Sequence, residues 1–104
     1  MDRFQEMTVF EAVADELSLA AAARRLYLSP PTVTRAIDAL EQRLGIKLLQ
    51  RSTRGVGLTE AGERFLADCR RILAEVADAD RSASGLHTSP QGRLQVSMPL
   101  LFGQ

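Results

Sequence analysis

The sequence is poor in the side chains that bind metals and form disulfides. Among its 104 residues there is one cysteine, Cys69, and one histidine, His87. A single cysteine cannot form an internal disulfide, and these two side chains are too few ligands for a zinc site. We therefore expect no metal ion and no other cofactor, and we expect the protein to work in a reducing compartment.

Long apolar segments and an excess of charge of either sign are also absent. No run approaches the roughly 18 consecutive apolar residues of a membrane span, and the first residues lack the charged-then-apolar order of a signal peptide. We therefore expect a cytoplasmic protein with no membrane partner. Thirteen basic residues balance thirteen acidic ones, and 45% of the residues are hydrophobic, which excludes a disordered acidic tail and a histone-like chain.

The zero net charge conceals an uneven distribution. Residues 1–19 hold one basic and five acidic side chains, residues 20–58 hold seven basic and two acidic ones, and residues 59–86 have a net charge of −2. The middle segment is therefore a basic block of net charge +5 between acidic flanks. Such a block is compatible with nucleic-acid binding, although runs of like charge more often form an ordinary solvated surface.

No group of residues in the sequence suggests catalysis. Asp38 and Glu41 form a carboxylate pair, but they lie among arginines with no nucleophile and no second carboxylate pair beside them. There is no glycine-rich phosphate-binding loop, and the chain is too short to build a core around a substrate pocket. We therefore predict that the protein is not an enzyme.

Apolar spacing predicts three short helices in the first half of the chain. The first runs from Asp2 to about Asp15 and begins with the spacing of a capping box. Ser18 is expected to cap a second, alanine-rich helix over Leu19–Leu26. Ser29 is expected to cap a third helix that ends at Gly45. The third helix should bury a stripe formed by Val33, Ile37, Leu40 and Leu44.

A small hairpin should follow the third helix. Lys47–Arg51 and Val56–Thr59 are short β-prone runs on either side of residues 52–55. The predicted fold class is therefore mainly α, a winged helix-turn-helix over residues 1–58 with a three-helix core and a β-hairpin wing. Arg51 and Arg54 lie at or near the tip of that wing.

A long helix is predicted over residues 59–86, capped by Thr59. It would span about 42 Å, which is more than the three-helix unit can cover. Its apolar residues alternate at spacings of four and three, as in a coiled coil, so we predict a dimer interface. Cys69 is interpreted as a small buried hydrophobic residue, with a redox switch across the dimer as the alternative. The predicted interface comprises Phe65, Cys69, Ile72, Leu73, Val76, Ala79 and Ala83.

The last part of the chain is interpreted as the start of a second domain. Residues 87–92 have the composition of a hinge. Residues 93–104 begin with the alternation of a half-buried strand, and one strand alone is not stable. We therefore expect a truncated second domain.

The helix-turn-helix pattern predicts which residues contact DNA. In such motifs the second helix enters the major groove with its N-terminal side chains at base edges, and the first helix crosses the backbone. Arginine can donate two hydrogen bonds to guanine or to a phosphate, and threonine can contact bases or phosphates. Wing arginines suit phosphates or a narrow minor groove. The predicted DNA-binding residues are Arg24 and Arg25 of the second helix, Ser29, Pro30, Pro31, Thr32, Thr34 and Arg35 of the third, and Arg51 and Arg54 of the wing.

Five stretches of the sequence resemble one family. These are residues 18–37, Leu40-Glu41, Leu44-Gly45, Leu48-Leu49-Gln50-Arg51 and Leu58-Thr59-Glu60-Ala61-Gly62. In residue type and spacing they closely resemble the N-terminal domain of LysR-type transcriptional regulators, from residue 1 to the long helix.

The resemblance implies a winged helix-turn-helix whose long helix pairs antiparallel with that of a second subunit. It implies a homodimer that binds an interrupted palindrome in double-stranded promoter DNA. It also implies a hinge leading to a domain that binds a small-molecule effector, and tetramers in the full-length protein. One residue departs from the family, because Pro30 stands where members commonly carry a glutamine that often contacts a base. We expect a different or relaxed base preference there.

A function of another class stays open. The long helix could recruit a protein partner while the basic block is incidental, which would make the chain a protein-interaction module without sequence-specific DNA binding. This hypothesis leaves unexplained why threonines and an arginine begin the third helix beside a basic hairpin.

Overall fold

The computed structural model describes residues 1–85, which contain four helices and one hairpin. The elements are α1 (Arg3–Glu16), α2 (Leu19–Leu26), α3 (Pro30–Leu44), β1 (Leu49–Ser52), β2 (Gly55–Leu58) and α4 (Glu60–Ser84). The predicted fold class is confirmed. The predicted hinge and second domain lie outside the described residues, as do Leu86 and His87.

Each helix begins at a residue whose side chain caps it. Asp2 and Gln5 form the predicted capping box, with the Gln5 N–H donating to Asp2 Oδ1 at 2.8 Å. The hydroxyls of Ser18 and Ser29 accept from amides in the first turns of α2 and α3. Thr59 Oγ1 accepts from the N–H of Gly62 at the start of α4. These bonds satisfy amides that have no partner inside the helix.

Three helices end in a left-handed residue. Gly45 ends α3 at φ +73°, as predicted. Leu17 and Tyr27 end α1 and α2 at φ +52° and +59°. The left-handed conformation is uncommon for residues that carry a Cβ, and the sequence analysis did not predict it at either position.

The core of residues 1–73 lies where α1, α2 and α3 meet. Phe10 of α1 and Ile37 and Leu40 of α3 are fully buried at its centre. The first part of α4 packs on this core, where the ring of Phe65 lies 5.4 Å from that of Phe10. Residues 74–84 form the rest of α4, belong to a second unit and are all exposed. No helix within residues 1–85 is both long and apolar enough to cross a membrane.

The wing is an antiparallel pair of four-residue strands with Leu49 opposite Leu58 and Ser52 opposite Gly55. Its turn is therefore Thr53-Arg54, and β1 begins two residues later than predicted. The reason is a buried carboxylate. Glu41 Oε2 accepts from the N–H groups of Leu48 and Leu49, at 2.8 and 3.1 Å.

Leu48 also anchors the start of α4. Its carbonyl accepts the N–H of Thr59 at 3.0 Å. Gly62 packs against the same carbonyl, and a Cβ at Gly62 would lie 2.1 Å from that oxygen. The wing and α4 are thus both attached to Leu48, which is attached to α3 through Glu41.

We predict that Glu41→Ala strongly destabilises the fold. It removes the acceptor of two buried amides, and an unsatisfied buried donor costs about 1–3 kcal/mol, so the free energy of unfolding should fall by about 2–4 kcal/mol. Urea denaturation measures this loss. Glu41→Gln keeps an acceptor and should lose less. Glu75→Ala, at an exposed position of α4, is the control, and a loss no larger than that of the control would contradict the anchoring role.

We also predict that Gly62→Ala destabilises the packing of α4 on Leu48. The added methyl group cannot fit against a backbone oxygen without a shift of the helix, and such overpacking typically costs about 1–3 kcal/mol. Gly57→Ala is the matched control, because a Cβ there meets nothing within 4 Å. Thermal unfolding should show a lower Tm for Gly62→Ala than for Gly57→Ala; equal values would refute the prediction.

A candidate nucleic-acid interface

The first turn of α3 is exposed and rich in hydrogen-bonding groups. Ser29 Oγ lies 2.7 Å from Thr32 Oγ1 and accepts from the Thr32 N–H at 3.3 Å. Pro30 and Pro31 occupy the first two helical positions, where no amide donor is needed. Ser29, both prolines and Arg35 are exposed, and Thr32 and Thr34 are half-buried.

Besides the contacts of Glu41 with Leu48 and Leu49, an ion pair links the wing to α3. Arg51 Nη2 of β1 donates to Asp38 Oδ1 at 3.1 Å. Asp38 lies three residues after Arg35, so the pair links the wing to the exposed face of α3. Arg54 lies in the turn of the wing, where its guanidinium has no carboxylate partner among residues 1–85.

Most of the basic block is neutralised inside the molecule, which the sequence analysis did not predict. Arg43 pairs with the buried Glu6 at 2.6 Å, and Lys47 lies 3.6 Å from Glu41. Arg25, which was predicted to contact phosphates, pairs with Asp15 and Glu16. The paired members of the block are thus Arg25, Arg43, Lys47 and Arg51.

Asp15 also connects to α4. Arg70 Nη2 donates to Asp15 Oδ1 at 2.6 Å. This hydrogen bond makes the largest contribution to lowering the pKa of the Asp15 carboxyl below its usual value, and the hydrogen bond from Arg25 adds to it. Asp15 therefore stays ionised at neutral pH and holds both arginines.

The cations without a carboxylate partner share one part of the fold. Within residues 1–85 every basic residue of α4 has such a partner: Arg64, Arg70, Arg71 and Arg81. The basic residues of the described chain that have none are Arg3, Arg24, Arg35 and Arg54, and all four lie within residues 1–58.

A groove extends this surface to α1. It is lined by Met1 and Glu6 together with Thr32, Arg35 and two alanines of α3. Arg3 begins α1. Arg3 was not among the predicted DNA-binding residues. The packing of α1 on α3 places its neighbours Met1 and Glu6 beside Thr32 and Arg35.

The apolar residues of α4 that were predicted to form a dimer interface do not share one environment. Cys69 is fully buried by its own chain, so no part of its side chain is left to contact a second subunit. The prediction that Cys69 belongs to the dimer interface is therefore wrong. Phe65 and Leu73 are half-buried and pack against the core. Ile72 and Val76 remain 37% and 36% exposed. Ala79 and Ala83 are also exposed.

Burial also controls the chemistry of Cys69. Desolvation, with smaller contributions from Glu11 and Asp68, raises the pKa of its thiol to about 11. At neutral pH the group is therefore protonated and a poor nucleophile. The interpretation of Cys69 as a buried hydrophobic residue is confirmed.

Comparison with protein-family models matches residues 4–63 to the bacterial regulatory helix-turn-helix proteins of the lysR family. This match covers more than half of the chain and includes all of α1 but its first residue, α2, α3 and the wing. The chain belongs to the lysR family. The resemblance found in the sequence is thereby confirmed, and the lysR family is one of transcriptional regulators rather than enzymes.

Two HTH-type transcriptional regulators are similar over two thirds or more of the chain. The transcriptional activator AaeR of Escherichia coli (strain K12) is 41% identical over 104 residues, which are all of this chain and 34% of AaeR. The regulator ClcR of Pseudomonas putida is 54% identical over 70 residues, 67% of this chain and 24% of ClcR. The chain therefore spans about a third or less of the length of these relatives.

Solved structures of lysR-family proteins have the same fold. The CbnR DBD–DNA complex superposes with a TM-score of 0.74 at 46% identity and covers 84% of this chain and 100% of that one. The BenM DBD in complex with benA site 1 DNA gives 0.77 at 31% identity, with coverages of 83% and 99%. In both structures the similar chain is bound to DNA.

We predict that Cys69 is unreactive in the folded protein. A thiol-specific disulfide reagent should modify it at neutral pH only after denaturant is added, and fast modification of the native chain would support the redox switch instead.

The raised pKa of Cys69 also predicts how stability depends on pH. Because folding raises this pKa, folding disfavours the thiolate. The free energy of unfolding of the parent should therefore fall as pH rises above the unfolded pKa of about 8.5, by up to about 1.4 kcal/mol per pH unit. Cys69→Ala should lack that component in urea denaturation at each pH.

Proposed function

We propose that residues 1–58 bind double-stranded promoter DNA in a sequence-specific way. Two copies of the chain would bind the two halves of an interrupted palindrome as a dimer. The observation that carries this proposal is the distribution of unpaired cations. Within residues 1–85 they lie on the helix-turn-helix, on the wing and at the start of α1, and α4 has none.

In this proposal α3 lies in the major groove. Arg35 is exposed and has no carboxylate partner among residues 1–85, so its guanidinium can donate two hydrogen bonds to O6 and N7 of a guanine or bind a phosphate. Thr32 and Thr34 offer hydroxyls to bases or phosphates, while Ser29 keeps the first turn of α3 in place. Pro30 offers no donor where relatives commonly carry glutamine, so base preference at that position should differ.

The remaining arginines would contact the DNA backbone. Arg24 lies in the last turn of α2 and Arg54 lies in the turn of the wing. Both suit phosphates, and Arg54 also suits an adjacent minor groove. Arg25 and Arg51 belong to the same surface, but each would have to share its guanidinium with the carboxylates that already hold it.

Dimerisation is proposed through the exposed apolar face of α4. The face consists of Ile72, Val76, Ala79 and Ala83, with the half-buried Phe65 and Leu73 at its edge. Antiparallel pairing of two such helices would follow the pattern of the family. A small-molecule effector and tetramers would depend on a further domain outside the described residues. The site of action would be the cytoplasm, where bacterial promoter DNA lies.

Selection from a pool of randomised duplexes tests the proposal directly. The 104-residue chain should recover an interrupted palindrome whose half-sites are separated by about one helical turn of DNA, roughly 34 Å, or a multiple of it. Recovery of no preferred sequence, with binding of a protein partner through α4, would favour the protein-interaction module.

We predict different effects for two arginines on the selected duplex. Arg35→Ala should cost about 1–3 kcal/mol of specific affinity if the side chain contacts a base. Arg54→Ala should weaken binding to all sequences and reduce the slope of log K against log salt by about 0.9 if it contacts a phosphate. Fluorescence anisotropy over a salt series measures both. Arg64→Ala on α4 is the control, and an unchanged slope for Arg54→Ala would contradict its assignment.

We predict that Ala79→Asp dissociates the dimer. It places a charge on the proposed interface, where it would be buried without a partner. Ala74→Asp makes the same change at an exposed position on the opposite side of α4 and should leave the dimer intact. Sedimentation equilibrium distinguishes the two. A parent chain that is monomeric at high concentration would refute dimerisation through α4.

A further inference from the structure

Asp38 is an acidic residue on the surface proposed to bind DNA. It lies on α3, three residues after Arg35 and four after Thr34, so helical geometry places all three on one face. Its side chain is 57% exposed. The other carboxylate of α3, Glu41, is buried and bound to amides of the chain. Asp38 is thus the carboxylate that α3 presents to solvent.

A carboxylate on this surface weakens DNA binding unless a hydrogen-bond donor of the DNA pairs with it. Phosphates repel it, and in a complex without a matched donor its charge opposes binding. Two bases offer an amine donor in the major groove, cytosine through N4 and adenine through N6. Adenine also presents the acceptor N7 beside its amine, which repels a carboxylate, so cytosine N4 is the matched donor. A carboxylate at this position would therefore tolerate cytosine and disfavour the other bases.

The ion pair with Arg51 prepares Asp38 for this role. Arg51 Nη2 contacts Oδ1 of the carboxylate, and no hydrogen bond of 3.5 Å or less reaches Oδ2 from any described residue. One oxygen is therefore held by the wing while the other is open to a donor. The positive charge of the Arg51 guanidinium also reduces the repulsion between Asp38 and nearby DNA phosphates.

We propose that Asp38 is a specificity-determining residue that accepts a hydrogen bond from cytosine N4 in each half-site, and that Arg51 is the positioning residue that orients it. This inference rests on the proposed DNA-binding function and adds a base contact to it. From the sequence, Asp38 was notable only as part of a carboxylate pair with Glu41 that does not suggest catalysis.

Base-preference profiles test the proposal. The parent chain and Asp38→Asn are each used to select from randomised duplexes. The parent should prefer cytosine at one position of each half-site, with other bases there costing about fivefold or more in affinity. In Asp38→Asn the preference at that position should move to adenine, because an amide pairs with adenine N6 and N7. The other positions of the profile should stay the same.

Three variants separate base reading from simple repulsion. Asp68→Asn makes the same change in an ion pair with Arg71 on α4 and should leave the profile unaltered. Arg51→Ala should weaken the cytosine preference without moving it to another base, and Arg51→Lys should restore part of it. A merely structural role of Arg51 would lower affinity equally for all bases at that position, and that result would overturn its positioning role.

The outcomes also separate this inference from the proposed function. If the parent selects no sequence, the DNA-binding proposal itself fails. If the parent selects a site and Asp38→Asn selects the same site with only a tighter, more salt-dependent affinity, Asp38 is a repulsive charge and the base contact is refuted. A shift confined to one position in each half-site supports it.

Discussion

The buried carboxylate of Glu41 is the interaction on which the arrangement of this molecule depends. It lies on α3 and accepts the amides of Leu48 and Leu49, where the chain enters the wing. The carbonyl of Leu48 in turn accepts a hydrogen bond from the N–H of Thr59, the residue that caps α4, and Gly62 packs closely against the same carbonyl. A charged acceptor in a buried setting holds its donors strongly. The wing and the start of α4 are therefore placed relative to α3 through one residue.

Charge pairing decides which parts of the surface can meet a polyanion. The basic block of the sequence loses four of its seven cations to carboxylates of α1 and α3. Since an exposed ion pair is worth little, these contacts add less to stability than to the placement of side chains. Within residues 1–85 the members of the block that have no carboxylate partner are Arg24, Arg35 and Arg54.

The apolar residues of the long helix α4 are covered to different extents. Phe65 and Cys69 complete the core of residues 1–73, whereas Ile72 and Val76 keep over a third of their surface exposed. A regular apolar spacing shows that a helix has an apolar face, but not what covers each part of it. For Cys69 the cover is the chain itself, which explains both its raised pKa and its removal from the proposed interface.

The fold class, the N-terminal helix caps and the family could be predicted from the sequence, because capping, helical periodicity and turn residues act between positions three or four apart. The bounds of α2 and the caps at Asp2, Ser18 and Ser29 follow from such local rules. Tertiary packing was needed to show that Glu41 holds the wing, that Asp38 pairs with Arg51, and which arginines have no carboxylate partner within residues 1–85. Those contacts join residues that are distant in sequence or lie on different elements, and their partners are chosen by how the helices pack rather than by spacing along the chain.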